Sequence, residues 1–230
     1  GGFFIGLPDP AWCVDRIDDN DWKTKYLPAD KAVLTGSPIR QELLQGDRLS
    51  GLKYAHLSAE KPVLLVIGGS LGSVIVNHAV RGILTQLLEQ FQIIHICGKG
   101  NVDESLIGIP GYVQYEYVDS PLRHLFAAAD LVISRAGANS ICEILALRKP
   151  NVLIPLSAAS RGDQILNANS FAKQGFSTVL EEEVLTPDTL YQAISETYKN
   201  RQTYVDAMSQ STLNNAIGTI MSLINKCAED

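Results

Sequence analysis

Short, unbroken apolar runs separated by stretches of helical period constrain this chain more than any other feature. Val63-Leu64-Leu65-Val66-Ile67 is the clearest run. It has no polar alternation, so it fits a strand covered on both faces better than a strand with one face in water. Gly68-Gly69 breaks it, and Val76, Ala79, Val80, Ile83, Leu84, Leu87, Leu88 and Phe91 follow at the spacing of one amphipathic helix. Further strands are expected at 92–97, 112–118, 131–134, 151–155 and 177–180. Helices are expected at 121–129, 139–147 and 163–174. Thr186-Pro187 reads as another helix start, a capping hydroxyl with proline in the first turn, and the tail to Cys227 reads as helical. Such alternation predicts the α/β class, as an open, doubly wound, Rossmann-like parallel sheet with right-handed crossovers.

The first 35 residues do not share this pattern. They carry Pro8, Pro10 and Pro28, both tryptophans and an acidic cluster at Asp15, Asp18, Asp19 and Asp21, with no period of 2 or 3.6 up to residue 31. A short strand at 31–35 then ends on Gly36-Ser37-Pro38. Segment 1–35 is expected to be a linker or the remnant of another domain, and 36–230 one folded unit. Gly1-Gly2-Phe3-Phe4 opens without methionine, which points to a fragment. Asp19-Asn20-Asp21 matches a metal-holding D-x-D only formally, because no apolar strand leads into it; it reads as a solvated acidic loop.

Composition narrows the function classes. With 25 acidic against 19 basic residues the net charge is −6, and no basic field favours nucleic acid. The apolar runs are far too short to span a bilayer. Cys13, Cys97, Cys142 and Cys227 share no metal-ligand spacing, and a chain of 230 residues needs no disulfide staples. Reduced, mostly buried thiols in a cytoplasmic protein are expected.

In a doubly wound sheet, ligands bind where strands hand over to helices. Three such loops carry polar chemistry. Gly68-Gly69-Ser70-Leu71-Gly72-Ser73 lets backbone approach a ligand and opens a helix whose free N–H groups favour an anion. It fails as a dinucleotide fingerprint, since Ile67 stands at the first required glycine and the second strand closes without a carboxylate. It also matches G-x-S-x-G, but no histidine follows His124, so a Ser–acid–His order is impossible. The second loop, Ser134-Arg135-Ala136-Gly137-Ala138-Asn139-Ser140, leads to Glu143 one turn inside a helix. There a carboxylate either compensates the dipole or meets a ribose diol. The third, from Pro155 to Asn167, places Asp163, Gln164 and Asn167 on one helix start, able to bracket sugar hydroxyls; plain capping would explain Asp163 alone.

Gly36-Ser37-Pro38-Ile39-Arg40, Gly68–Ser73 with Asn77, Tyr117-Val118-Asp119, Ser134–Glu143 and Arg161–Ala168 together resemble the C-terminal, donor-binding domain of the MurG family. Their order and spacing cover about residues 25–225. That family adds GlcNAc from UDP-GlcNAc to undecaprenyl-diphospho-muramoyl-pentapeptide in peptidoglycan synthesis. The resemblance implies one half of a GT-B glycosyltransferase, a membrane-associated cytoplasmic enzyme on the inner face of the plasma membrane. It implies that Gly69, Ser70 and Gly72, with the helix start at Ala138, Asn139 and Ser140, meet the diphosphate. Val118 backbone would read the uracil edge with Tyr117 beside it, and Glu143 would accept the ribose hydroxyls. Asp163, Gln164 and Asn167 would contact the sugar, and Arg40 would lie near the phosphates. Many relatives have Gln-Gln where this chain has Asp163-Gln164, which bears on sugar selectivity.

The family's second, N-terminal domain carries the acceptor site, the membrane patch and the histidine base. None of His56, His78, His95 and His124 matches that base, so no catalytic residue is expected in this chain, and its 1–35 segment is expected to be all that stands for that domain. No metal or cofactor is implied beyond the donor UDP-sugar; the lipid-linked acceptor would bind through the missing domain. Competing readings are a related transferase with a glycolipid acceptor, a non-catalytic UDP-sugar-binding subunit needing a partner chain, and a UDP-GlcNAc epimerase.

Overall fold

The computed structural model describes residues 12–14, 32–34, 39–69, 71–157 and 162–211, with 218, 221, 222 and 225 beyond them. Among these, β1 (Trp12–Val14) pairs in parallel with β2 (Ala32–Leu34) as a separate two-stranded sheet. The expected strand at 31–35 is therefore present. Its partner β1 corrects the expectation of an unpatterned segment before residue 31: three residues are too few to show a period.

The main sheet has six parallel strands: β3 (Val63–Ile67), β4 (Gln92–Ile96), β5 (Tyr112–Tyr115), β6 (Leu131–Ser134), β7 (Asn151–Leu153) and β8 (Thr178–Val179). Their order is β5-β4-β3-β6-β7-β8. The chain winds outward from β3 to β5, returns to β6 beside β3, and winds outward again to β8. This is the doubly wound order, with its reversal between β3 and β6.

Side chains of the central strands alternate between two cores, as the pleat requires. Val63, Leu65 and Val132 join one core; Leu64, Val66, Leu131 and Ile133 join the other. The first core is closed by α1 (Arg48–Tyr54), α4 (Leu122–Ala128), α5 (Ala138–Ala146) and α6 (Asp163–Lys173). The second is closed by α2 (Val74–Gly82), α3 (Leu84–Gln90) and α7 (Pro187–Lys199). Burial on both faces is why the strands read as unbroken apolar runs.

Several boundaries differ from expectation. The single helix expected across 76–91 is two, broken at Ile83, whose φ of −117° and ψ of 16° lie outside the helix. Gly82 and the β-branched Ile83 are weak helix formers, and the break keeps Val80, Leu84 and Leu87 facing the same core. The run 112–118 is strand only to Tyr115. The tail is also interrupted: α7 stops at Lys199 and α8 (Arg201–Ser209) restarts after Asn200. Past 211, residues 218, 221, 222 and 225 are helical and the rest of the tail lies outside the described residues. Thr186 does cap α7, in a reciprocal box with Thr189. A 3-10 turn at Gln41–Gln45 and α1, capped by Asp47, were not expected from sequence. Cys97 and Cys142 are buried, as expected.

Candidate functional site

The reversal between β3 and β6 brings the loops after β3, β6 and β7 to one edge of the sheet. The loop after β3 lies backbone to backbone against the loop after β4. A Cβ on Gly72 (φ +77°) would come within 2.0 Å of the Cys97 carbonyl oxygen, and one on Gly98 (φ +90°) within 2.3 Å of the Leu71 oxygen. Gly72 is therefore demanded by packing as well as by conformation. Gly69 differs: φ is +94°, and nothing lies within 4 Å of where its Cβ would stand. It is open to an incoming group. Ser70 lies outside the described residues, as do Gly36–Pro38 and Arg161. The loop ends on Ser73, whose hydroxyl accepts the Val76 N–H at 3.3 Å and caps α2.

Beneath this loop runs a buried polar chain. Asn77 donates to the Cys97 carbonyl at 2.9 Å, and His95 bridges Asn77 Oδ1 and the Tyr112 hydroxyl, each at 2.9 Å. Burial, with the Arg81 charge adding to it, pushes His95 down to about 3, so its imidazole is neutral at physiological pH. Burial pushes Tyr112 up to about 12. His95 thus orients a loop and is no base for a ligand in the crevice. His124 is committed too, its Nδ1 accepting the Asp47 N–H at 2.9 Å.

After β6, Gly137 takes the N-cap position of α5 and offers no side-chain cap to the first-turn N–H groups of Ala138, Asn139 and Ser140. Asn139 is exposed and Ser140 half-buried. Glu143 lies one turn further in, its side chain only 13% exposed, and its Oε1 accepts the Arg40 Nε–H at 3.0 Å. That bond raises the Arg40 guanidinium above its ordinary value, with the nearby Tyr117 a smaller contribution in the same direction. Tyr117 is 68% exposed and Val118 is buried. Arg40, Tyr117 and Glu143, far apart in sequence, thus share one corner of the crevice.

After β7, α6 begins from Gly162 in the left-handed region (φ +71°), and Asp163, its first residue, is exposed. Gly162 stands at the cap position and has no side chain to cap the helix with. Asp163 is thus one position inside the cap and is not the N-cap residue that plain capping would make it. The two amides have a structural duty not expected from sequence. Gln164 Oε1 accepts the Leu156 N–H at 3.1 Å, and Asn167 Nδ2 donates to the Ala136 carbonyl at 3.0 Å. They fasten the start of α6 to the loops after β7 and β6. Sequence reasoning assigned nothing to Arg135, the one charge in an otherwise small-residue loop directly after a buried strand; that contrast is the signal that could have singled it out. Among the described residues, no group of three or more His, Cys, Asp or Glu could hold a metal ion.

The model of the glycosyltransferase family 28 C-terminal domain matches residues 63–222. The chain is 58% identical over 202 residues to the UDP-N-acetylglucosamine–N-acetylmuramyl-(pentapeptide) pyrophosphoryl-undecaprenol N-acetylglucosamine transferase of Lachnoclostridium phytofermentans, covering 87% of this chain and 57% of the relative. With the transferase of the same name from Clostridium perfringens it shares 53% identity over 205 residues, 89% of this chain and 57% of the relative. The chain thus spans little more than half the length of these relatives. Among solved structures it is similar to Acinetobacter baumannii MurG, with TM-score 0.62 and 26% identity over 86% of this chain and 58% of that one. The glycotransferase of kitacinnamycin shares the fold at TM-score 0.72, 21% identity, 95% of this chain and 55% of that one.

Proposed function

This chain belongs to the glycosyltransferase family 28 C-terminal domain family, and from that premise we propose that it is the donor-binding half of an inverting transferase moving GlcNAc from UDP-GlcNAc to a lipid-linked muramoyl-pentapeptide in peptidoglycan synthesis. The observation that carries the reading is the meeting of the open Gly69 turn, the uncapped start of α5 with Glu143, and the start of α6 with Asp163 along one crevice at the strand reversal. Three different helix and loop ends offer, in order, anion-binding N–H groups, a diol-binding carboxylate and a hydroxyl-binding polar cluster. A nucleoside diphosphate sugar carries those three parts, its diphosphate joining the ribose to the sugar.

In this reading the Gly69–Gly72 turn with Ser70, and the first turn of α5 at Ala138, Asn139 and Ser140, stabilise the diphosphate. They do so by N–H donors and helix dipoles, so that charge developing on the departing UDP is met by preorganised dipoles without a metal. Val118 main chain reads the uracil edge under Tyr117, and Glu143 accepts the ribose hydroxyls. Asp163, Gln164 and Asn167 face the sugar; each amide already spends one polar atom on a loop and keeps the other end for the ligand. Arg40 neutralises Glu143 in the free chain and stands beside the phosphates in the bound one.

The remaining chemistry is a base removing the proton from an acceptor hydroxyl, whose oxygen attacks the anomeric carbon as the bond to UDP breaks. That base and the acceptor contacts belong to the part of the relatives this chain does not span, and 1–35 is its remnant or the link to it. The same part would bring the protein to the inner membrane surface.

Titrating UDP into the wild-type chain and into Glu143→Gln tests the reading. Two charge-assisted bonds to the ribose each contribute roughly 1.5–3 kcal/mol, and glutamine keeps one acceptor oxygen, so affinity should fall roughly tenfold or more. Unchanged affinity with a lowered melting temperature would return Glu143 to dipole compensation alone.

A further inference from the structure

Arg135 follows β6 directly and is only 7% exposed. Its guanidinium reaches across the carboxyl edge of the sheet at the strand reversal. Nη1 donates to the carbonyls of Ile154 at 3.1 Å and Pro155 at 3.2 Å, at the end of β7. Nη2 donates to the Ser73 hydroxyl at 2.7 Å and pairs with Glu182 Oε2 at 2.5 Å. One side chain therefore ties together the loops after β3, β6 and β7 and the turn Glu182–Val184 that precedes α7.

Packing alone does not call for a charge here. A buried ion pair is commonly replaceable by apolar residues of similar volume with no loss of stability, so its presence asks for another reason. The planar fork of an arginine does what no apolar residue can: it fixes several acceptors at set angles to one another. The acceptor that matters is Ser73, since its hydroxyl also caps α2 through the Val76 N–H and closes the glycine turn. Arg135 thus sets the glycine turn against the loop that opens α5, two residues further along its own chain.

We propose that Arg135 is a positioning residue for the donor diphosphate: through Ser73 it holds the glycine turn in register with the α5 start so that N–H donors from both converge on one anion, while its two terminal nitrogens stay on protein acceptors. The inference rests on the donor-site reading above, and the test separates the two.

UDP and uridine are titrated into the wild-type chain, Arg135→Lys, and the pair Arg135→Met/Glu182→Leu, which removes both buried charges together; each protein is also melted without ligand. Uridine, lacking phosphate, reports on the base and ribose contacts only. Uridine affinity should stay within about twofold throughout. UDP affinity should fall relative to uridine by roughly tenfold in the paired variant, about the worth of one hydrogen bond to a charged group. In Arg135→Lys, which keeps the Glu182 pair but not the fork, the fall should be smaller. A UDP-to-uridine ratio unchanged in both variants, or equal losses for both ligands, overturns the inference and makes Arg135 a scaffold residue. If the paired variant does not fold, the ratio in Arg135→Lys decides alone. Wild-type chain that binds neither ligand overturns the donor-site reading itself.

Discussion

Glu143 and Asp163 both sit near a helix N-terminus, yet their surroundings differ. Glu143 is nearly enclosed and paired to Arg40; Asp163 is exposed and stands one position inside the cap residue Gly162. Asp163→Ala should therefore change the melting temperature little, the cost being a dipole contribution of roughly 0.3–1 kcal/mol at most. The same variant should weaken UDP-GlcNAc binding while sparing UDP, as calorimetry with both ligands would read. Equal losses would assign Asp163 to the nucleotide. At this scale the sequence disclosed residue types and little else. The carboxylates, amides and glycines of the three loops were legible because they interrupt apolar runs. The Arg40–Glu143 bond, spanning 103 positions, was not. Nor was the capping geometry of α6, because Gly162 takes the cap position in a conformation that no spacing rule registers.

At the level of elements, the glycine turn separates space from conformation. Gly72→Ala puts a methyl group 2.0 Å from a carbonyl oxygen held by Asn77, with Gly98 directly beyond it. Overpacking and left-handed strain each cost roughly 1–3 kcal/mol, so urea unfolding should show a loss of at least about 2 kcal/mol. Gly69→Ala meets no neighbour and should cost only the strain, roughly 1–2 kcal/mol. If the two variants lose equal stability, the contact between the β3 and β4 loops is not what holds the turn. The strands were legible because burial on both faces leaves unbroken apolar runs. Helix α1 was not, and Gly51 shows why. Glycine inside a helix argues against it on propensity, but here its missing Cβ lets α1 lie against the His124 carbonyl, 2.1 Å from where a Cβ would be. A tertiary contact overrides the local signal.

For the whole molecule, the two edges of the sheet carry different electrostatics. At the amino edge, Arg48 grips Asp130 through two bonds of 3.1 and 3.0 Å, and Asp130 Oδ2 accepts the Val63 N–H at 2.8 Å. Beside them Lys149 donates to the Ala129 carbonyl at 2.8 Å. Burial brings its ammonium down to about 8, Arg48 pushing the same way and Asp130 opposing. As pH rises, the folded chain gives up this proton near 8, before the unfolded chain does near its ordinary 10.5. The unfolded state then holds more protons, so this group adds stability from pH 8 upward and its contribution is lowest below 8. Urea midpoints at pH 8, 9 and 10 should rise for wild type relative to Lys149→Met; parallel trends would show that Lys149 is not the titrating group. At the carboxyl edge, donor binding and transfer should separate. This chain should bind UDP-GlcNAc yet transfer negligibly, since it spans 57% of its relatives' length. Turnover comparable to a complete relative would place the base within these 230 residues.

The outermost strands bear on behaviour in concentrated solution. On one side the sheet ends in β8, a strand of two residues; on the other it ends in β5, four residues long, with Tyr54 of α1 stacked on Tyr115 at 5.4 Å. A foreign strand seeking to extend a sheet needs a row of unpaired backbone groups to copy, and very short or covered margins offer few. Among the described residues neither margin is a long, bare template. Crowding copies of this chain together should therefore not zip them edge to edge into fibres, even though the strands between those margins are apolar on both faces.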